Sequence, residues 1–143
     1  MSLFIDNFTP QNFLDLSSLI FNSVSLNNDI PINSRDSAWL RSAISRAYYA
    51  AFLTLREEFL QDQNLRALII GRIRDHQTIK TRLQNLPIQL FYLSGFFEDL
   101  RSDRNSADYK IPPDFHVSPE KVSLSIAKAH EIITNRRNII TNI

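Results

Sequence analysis

The sequence predicts an all-α fold, an up-down antiparallel bundle of four to five helices, with residues 1–143 forming a single domain. Three observations lead there. Apolar residues recur at spacings of three and four in several separate stretches, no stretch alternates convincingly with a period of two, and cap-and-proline signals fall at the joints between stretches. At 143 residues the chain is long enough to bury one core.

The first helix runs roughly from Pro10 to Leu26. Thr9 is a suitable N-cap and Pro10 suits a first helical position, where no N–H is needed. Phe13, Leu16, Ile20 and Val24 form its apolar stripe, and Asn27, Asn28 and Pro31 stop it. Asn33 or Ser34 caps the second helix, which carries Asp36 near its positive end and continues to about Leu60. Gln61 to Asn64 is a polar break. Leu65 to Arg74 reads either as a short helix or as a collapsed loop, and Gly71 weakens the helical reading. Asp75 offers an N-cap for a third helix with Ile79 and Leu83 inward, and Asn85 to Pro87 is the next joint. A fourth helix starts near Pro87, with Leu90, Leu93, Phe97 and Leu100 as its packing seam. Lys110 to Pro119 holds three prolines and reads as a loop. Ser118, Pro119 and Glu120 then supply cap, first-position proline and first-turn acid for a fifth helix, whose face is Val122, Ile126, Ala129, Ile133 and Ile140.

Composition narrows the function classes. The net charge is +1, so no overall field gathers a polyanion, and any such binding needs a shaped site. The absence of cysteine rules out disulfides, thiolate chemistry and Cys-type zinc sites, and is compatible with a cytoplasmic setting. No apolar run reaches the ~18 residues of a membrane span, and Met1 to Pro10 lacks the layout of a signal peptide. Two glycines, Gly71 and Gly95, cannot build a Gly-rich phosphate loop. The histidines His76, His116 and His130 are scattered without metal-ligand spacing, so neither a metal nor another cofactor is expected.

Two stretches organise the rest. Ala38 to Leu60 has neither Gly nor Pro and is apolar on more than one face. One set is Trp39, Ala43, Ala47, Ala50 and Ala51, and another is Leu40, Ile44, Tyr48, Phe52, Leu55 and Phe59. That exceeds the ~100° stripe of a surface helix, so neighbours must pack on several sides. Arg46 lies within it, a charge that is costly to bury unpaired. The second stretch, Leu100 to Tyr109, is almost entirely polar. It reads either as a solvated helix C-terminus or as a turn in which Asp99, Asp103 or Asp108 pairs with Arg46, leaving Arg101 or Arg104 free for an anion such as phosphate.

Ile44 to Phe52 (ISRAYYAAF), followed by Leu100-Arg101-x-x-Arg104-Asn105-x-Ala107-Asp108-Tyr109, resembles a small stand-alone prokaryotic HEPN protein. The resemblance spans most of the chain, and the two segments together are more specific than either alone. It implies a helical bundle, commonly a homodimer with a cleft between facing helices. It also implies a prokaryotic toxin–antitoxin, CRISPR or other defence setting, with RNA, a nucleotide, an antitoxin or a nucleotidyltransferase protein as partner. Catalytic members are metal-independent endoribonucleases with Arg-x(4–6)-His. Here Arg104 and Asn105 match, but Tyr109 stands where the His would be. An imidazole titrates near neutrality whereas a phenol does so near ~10, so the motif as written favours phosphate recognition over cleavage.

The resemblance therefore implies Arg104, Asn105 and Tyr109 as the catalytic-type set, and the residue pattern adds Arg46, Arg101, Asp108 and His116 as binding residues. Tyr109 or His116 would have to move a proton if the protein cuts RNA. His76 matches a position where relatives often carry His, and its plain reading is a capping or core hydrogen bond; His130 reads as structural. Tyr48 and Tyr49 read first as core or interface residues and second as base-stacking platforms. Arg136 and Arg137 read as helix-end charges, and Arg72, Arg74, Lys80 and Arg82 as a solvated basic cluster.

Overall fold

The computed structural model describes residues 9–25, 34–71 and 74–143. Within them are six α-helices: α1 (Pro10–Ser25), α2 (Ser34–Gln61), α3 (Arg74–Leu83), α4 (Tyr92–Tyr109), α5 (Pro119–Thr134) and α6 (Arg136–Asn142). Among the described residues there is no strand, and no helix is long and apolar enough to cross a membrane. The expected stop signals Asn27, Asn28 and Pro31, the alternative cap Asn33, and Arg72 lie outside the described residues.

The all-α bundle stands, with six α-helices among the described residues where the sequence predicts four to five. The extra one arises at Asn135, whose side chain donates to the Glu131 carbonyl one turn back and whose backbone leaves the helical region (φ −96°, ψ 9°). Such side-chain competition with the helical ladder ends α5 and lets α6 restart. Arg136 and Arg137 consequently sit at the start of α6 rather than at a helix C-terminus. Glu58 on α2 holds both, at 3.4 and 2.7 Å.

Helix α2 is the central rod. Leu40, Ala43, Ile44, Ala47, Ala50, Ala51, Leu55 and Phe59 are completely buried. Trp39 departs from the expected apolar set and is 48% exposed. The alanines let neighbouring backbones approach closely. Ser17 of α1, itself fully buried, donates to the Ala43 carbonyl at 2.7 Å. Neighbours run against α2 in opposite senses: Ile20 packs with Leu40 while Leu14 packs beside Ala47. Likewise Ala107 lies at Arg41 and Arg104 at Tyr49. The α4–α5 pairing is antiparallel too, with Tyr92 reaching Glu131 and Asp99 reaching Lys128. The seam of α4 is fully buried at Leu93, Phe97 and Leu100.

Two boundaries differ from the sequence reading. Pro87 to Phe91 forms turns bonded i to i+3, and α4 proper begins at Tyr92. Ile88 and Phe91 are exposed there, so no apolar stripe draws that stretch onto the core. At the other end α4 continues through the polar segment to Tyr109 before Lys110 turns extended. Ala107, only 4% exposed, keeps this polar end packed. Helix α5 starts as expected: the Ser118 side chain accepts from the Lys121 N–H and Pro119 is the first helical residue.

The ambiguous stretch after α2 resolves into a 3₁₀ turn (Arg66–Leu68) and an extended loop ending at Gly71, whose φ of +75° suits glycine. Asp75 does not act as the expected cap of α3. It lies inside the first turn, 1% exposed, and its carboxylate accepts from the N–H groups of Ile70 (2.8 Å) and Gly71 (2.9 Å) and from Arg56 of α2 (3.1 Å). One buried carboxylate thus ties the loop, α3 and α2 together. Removing it strands two loop N–H groups and a guanidinium. We expect Asp75→Ala to lower the unfolding free energy by about 3 kcal/mol in a urea titration. Asp114→Ala, in an exposed loop, should change it by less than about 0.5 kcal/mol. Equal losses would show that Asp75 does not hold the loop.

Candidate functional site

Arg104 is the hub of the polar end of α4. Its Nη2 donates to the Tyr49 hydroxyl at 2.8 Å and its Nη1 to the Asn105 side-chain oxygen at 3.2 Å. Nε lies 2.8 Å from the Asp108 carboxylate one turn on, an ion contact in which the N–H does not point at the oxygen, so Nε makes no hydrogen bond. The guanidinium carbon stands 5.2 Å from the Tyr49 ring centroid, 5.8 Å from Tyr109 and 5.9 Å from Tyr48. Three aromatic faces around one cation favour it electrostatically and fix its plane.

The expected pairing of Arg46 with Asp99, Asp103 or Asp108 is absent. Arg46 Nη1 donates to Ser42 Oγ on its own helix, and its buried Nε has no partner. Asp99 turns to Lys128 of α5 at 2.9 Å. Asp103 is half-buried; burial pushes its carboxyl above the usual carboxylate range, against the pull of Lys128 and Lys121. Asp108 pairs locally with Arg104, and the α2 residue facing it is Ser45, at 3.5 Å. Position 46 is one residue, or about 100°, around the helix from that contact.

The clamp between α2 and the end of α4 is made instead by Arg41. Its Nη1 donates to the carbonyls of Ala107 (3.0 Å) and Lys110, its Nη2 to the Phe115 carbonyl (3.3 Å), and its guanidinium lies 5.2 Å from the Phe115 ring centroid. A cation on terminal carbonyls satisfies acceptors that α4 cannot satisfy itself and complements the negative end of its dipole. Sequence reasoning missed Arg41 because its partners are main-chain atoms, which every residue carries.

Arg104, Tyr49 and Tyr109 line a cleft of about 700 Å³ together with Tyr48, Phe52, Leu53, Arg56, Gly71, Asp75, His76 and Arg101. Arg101 is half-buried and, among the described residues, has no ion-pair partner. Of the expected binding residues, Arg101 belongs to this cleft, while Arg46 is not among its walls. His116 and Asp108 line a neighbouring cleft of about 700 Å³ beyond Tyr109. Of the expected residues, Arg101, Arg104 and Tyr109 thus share the first cleft, Asp108, Tyr109 and His116 the second, and Arg46 and Asn105 line neither; Tyr49 and Arg56 join the first.

His76 lies at the floor, 5% exposed and stacked on Phe97 with centroids 4.5 Å apart. Its Nδ1 is 2.7 Å from the Tyr48 hydroxyl. Its Nε2 faces Glu98 at 3.6 Å, too far for a hydrogen bond, and Glu98 is held by Lys80 at 3.1 Å. Burial first, and the Arg101 charge second, push the imidazole down to about 4, against the opposing pull of Glu98. Burial likewise pushes the Tyr48 phenol up to about 12. The carboxylate beside Nε2 favours the proton there, so Tyr48 donates to Nδ1. Both groups are neutral at pH 7, and this chain fixes the Tyr48 ring rather than moving protons. Among the described residues, no group of three or more His, Cys, Asp or Glu side chains is arranged to hold a metal ion.

No protein-family model matches this chain, no curated protein matches it, and no solved structure matches its fold.

The buried imidazole has a consequence for stability. Between its ordinary value of 6.5 and about 4, the unfolded chain protonates His76 while the folded chain does not. The unfolded state then binds more protons, so stability falls as pH drops through that window. His76→Gln removes that proton-binding difference. We expect the melting temperature of wild type to fall more steeply than that of His76→Gln between pH 6.5 and 4, as read by circular dichroism. Parallel curves would show that the imidazole is not held neutral.

Proposed function

We propose that this chain is a HEPN-type protein of a prokaryotic toxin–antitoxin or defence system, binding RNA or a nucleotide by its phosphate rather than cutting it. The single observation that carries the reading is Arg101: a half-buried cation with no ion-pair partner among the described residues, beside Arg104 in an aromatic-walled cleft. Arg104 is oriented by Tyr49 and already shares its charge with Asp108. A phosphate entering between the two guanidiniums gains charge-assisted hydrogen bonds chiefly from Arg101, with Arg104 as the preset second cation. Tyr49, and Tyr109 at 76% exposure, offer faces for a base.

That no imidazole other than the buried His76 lines the Arg104 cleft supports binding over cleavage. Tyr109 occupies the motif's His position, His76 is buried on Tyr48, and His116 lines the other cleft. In this reading the protein acts as a homodimer in the cytoplasm, and an antitoxin or nucleotidyltransferase is its protein partner.

The alternative is an active metal-independent endoribonuclease. It is favoured by one feature: Tyr109 stands within 5.8 Å of the Arg104 guanidinium, in position to meet the same phosphate. Arg104 would then hold the scissile phosphate with Asn105 orienting its guanidinium, and Tyr109 or His116 would transfer the proton at the ribose 2′-hydroxyl.

Incubating the pure protein with single-stranded RNA in EDTA separates the two readings. We expect binding without cutting, weakened about tenfold (~1.4 kcal/mol) by Arg101→Ala and by Arg104→Ala. Cleavage that disappears in Arg104→Ala would establish the nuclease reading instead, and no binding by wild type would remove both.

A further inference from the structure

The cleft holding Arg104 is not isolated. Tyr109 lines it and also lines the second cleft, which contains Arg41, Lys110 and His116 and is likewise about 700 Å³. Tyr109 forms the shared wall, 76% exposed, with the Arg104 guanidinium against its ring. Of the chain's 16 Lys and Arg residues, five line the two clefts, against two of its 15 Asp and Glu residues. The paired clefts thus carry a net +3 on a chain whose total is +1. The remaining residues of the chain sum to a net −2, and the two clefts follow one flank of α2 from Ser37 to Arg56.

The cations stand in different states. Arg41 spends its N–H groups on three carbonyls, which are neutral acceptors and leave its charge uncancelled. Lys110 is exposed and, among the described residues, has no ion-pair partner. Asp108 sits between the clefts, with its charge taken up by Arg104. Cations in both hollows and an open aromatic ring between them match the pattern that binds a single strand: phosphates follow the charge and a base stacks on the ring.

We propose that the two clefts form one continuous track for a single-stranded polynucleotide of several residues, with Tyr109 as the stacking platform at its midpoint and Lys110 as a phosphate contact in the second cleft. The proposal rests on the phosphate-binding reading above and deepens it: the ligand is a strand rather than a mononucleotide. Each cleft has room for roughly one or two nucleotides, which gives a site of about four. The aromatic wall favours a polynucleotide over an acidic peptide, because a peptide carboxylate gains nothing from an open ring face.

The test is fluorescence anisotropy with labelled RNA and DNA oligomers of one, two, four and eight nucleotides, in EDTA, at several salt concentrations, with polyglutamate as competitor. We expect affinity to rise with length and level off near four nucleotides. Tyr109→Ala should weaken the four-nucleotide ligand about tenfold, a larger loss than it causes with the mononucleotide. Lys110→Ala should reduce the salt slope for the longer ligand by about 0.7. The RNA and DNA arms show which strand the track prefers. Mononucleotide binding that depends on Arg104 but gains nothing with length would overturn the track and leave the phosphate-binding reading standing. No binding of any oligomer would remove both, and polyglutamate competing as well as RNA would replace the strand with an acidic partner.

Discussion

The hydrogen bond from Arg104 to the Tyr49 hydroxyl, 2.8 Å across the α2–α4 contact, is the constraint around which the polar end is built. It requires the two helices to lie close, and the fully buried alanines of α2 make that approach possible. It also fixes the register: with Tyr49 at Arg104, Ser45 meets Asp108 and Arg41 meets the last carbonyls of α4. The polar segment is helical because it is packed at Ala107 and capped by Arg41. A freely solvated helix end would have neither restraint, and its arginines would sample many rotamers.

Electrostatics and burial then divide the work between two arginines three residues apart. Arg104 is spent on orientation, among three rings, an amide and a carboxylate. Arg101, with no ion-pair partner among the described residues, keeps its charge beside the buried His76 and Tyr48. A protonated imidazole there would add a second cation in a poorly solvated place, so His76 stays neutral, and its contribution is to anchor Tyr48. The Asp75–Arg56 pair closes the opposite wall and, through Gly71, sets the loop that bounds the cleft.

Much of the bundle was legible in the sequence because helical periodicity and caps are local signals. The α2 rod, the α4 seam from Leu93 to Leu100, and the Ser118-Pro119 start of α5 follow from spacing alone. The break at Asn135 was hidden because Ile140 continues the apolar spacing of α5, while the interruption comes from one side chain bonding backward. The cleft was legible as a dense run of Arg, Asn, Asp and Tyr on one helix end, but its wiring was not. Arg46 looked like the partner because carboxylates are visible in a sequence, whereas the carbonyls that Arg41 binds are not. Asp108 went to Arg104 rather than across the bundle because an i,i+4 pair on one helix needs no long-range alignment. Arg56 and Asp75, 19 residues apart, came together only through the turn at Gly71.

The central claim is that Arg101, which has no ion-pair partner among the described residues, meets a phosphate in this cleft with Arg104 beside it. Nuclear magnetic resonance of arginine Nε–H signals during titration with inorganic phosphate reads that directly. The account predicts that the Arg101 and Arg104 signals shift together along one saturating curve, while Arg66 and Arg82, both absent from the walls of this cleft, stay where they are. Uniform small shifts of every arginine, or movement at Arg66 and Arg82 with none at Arg101, would contradict it.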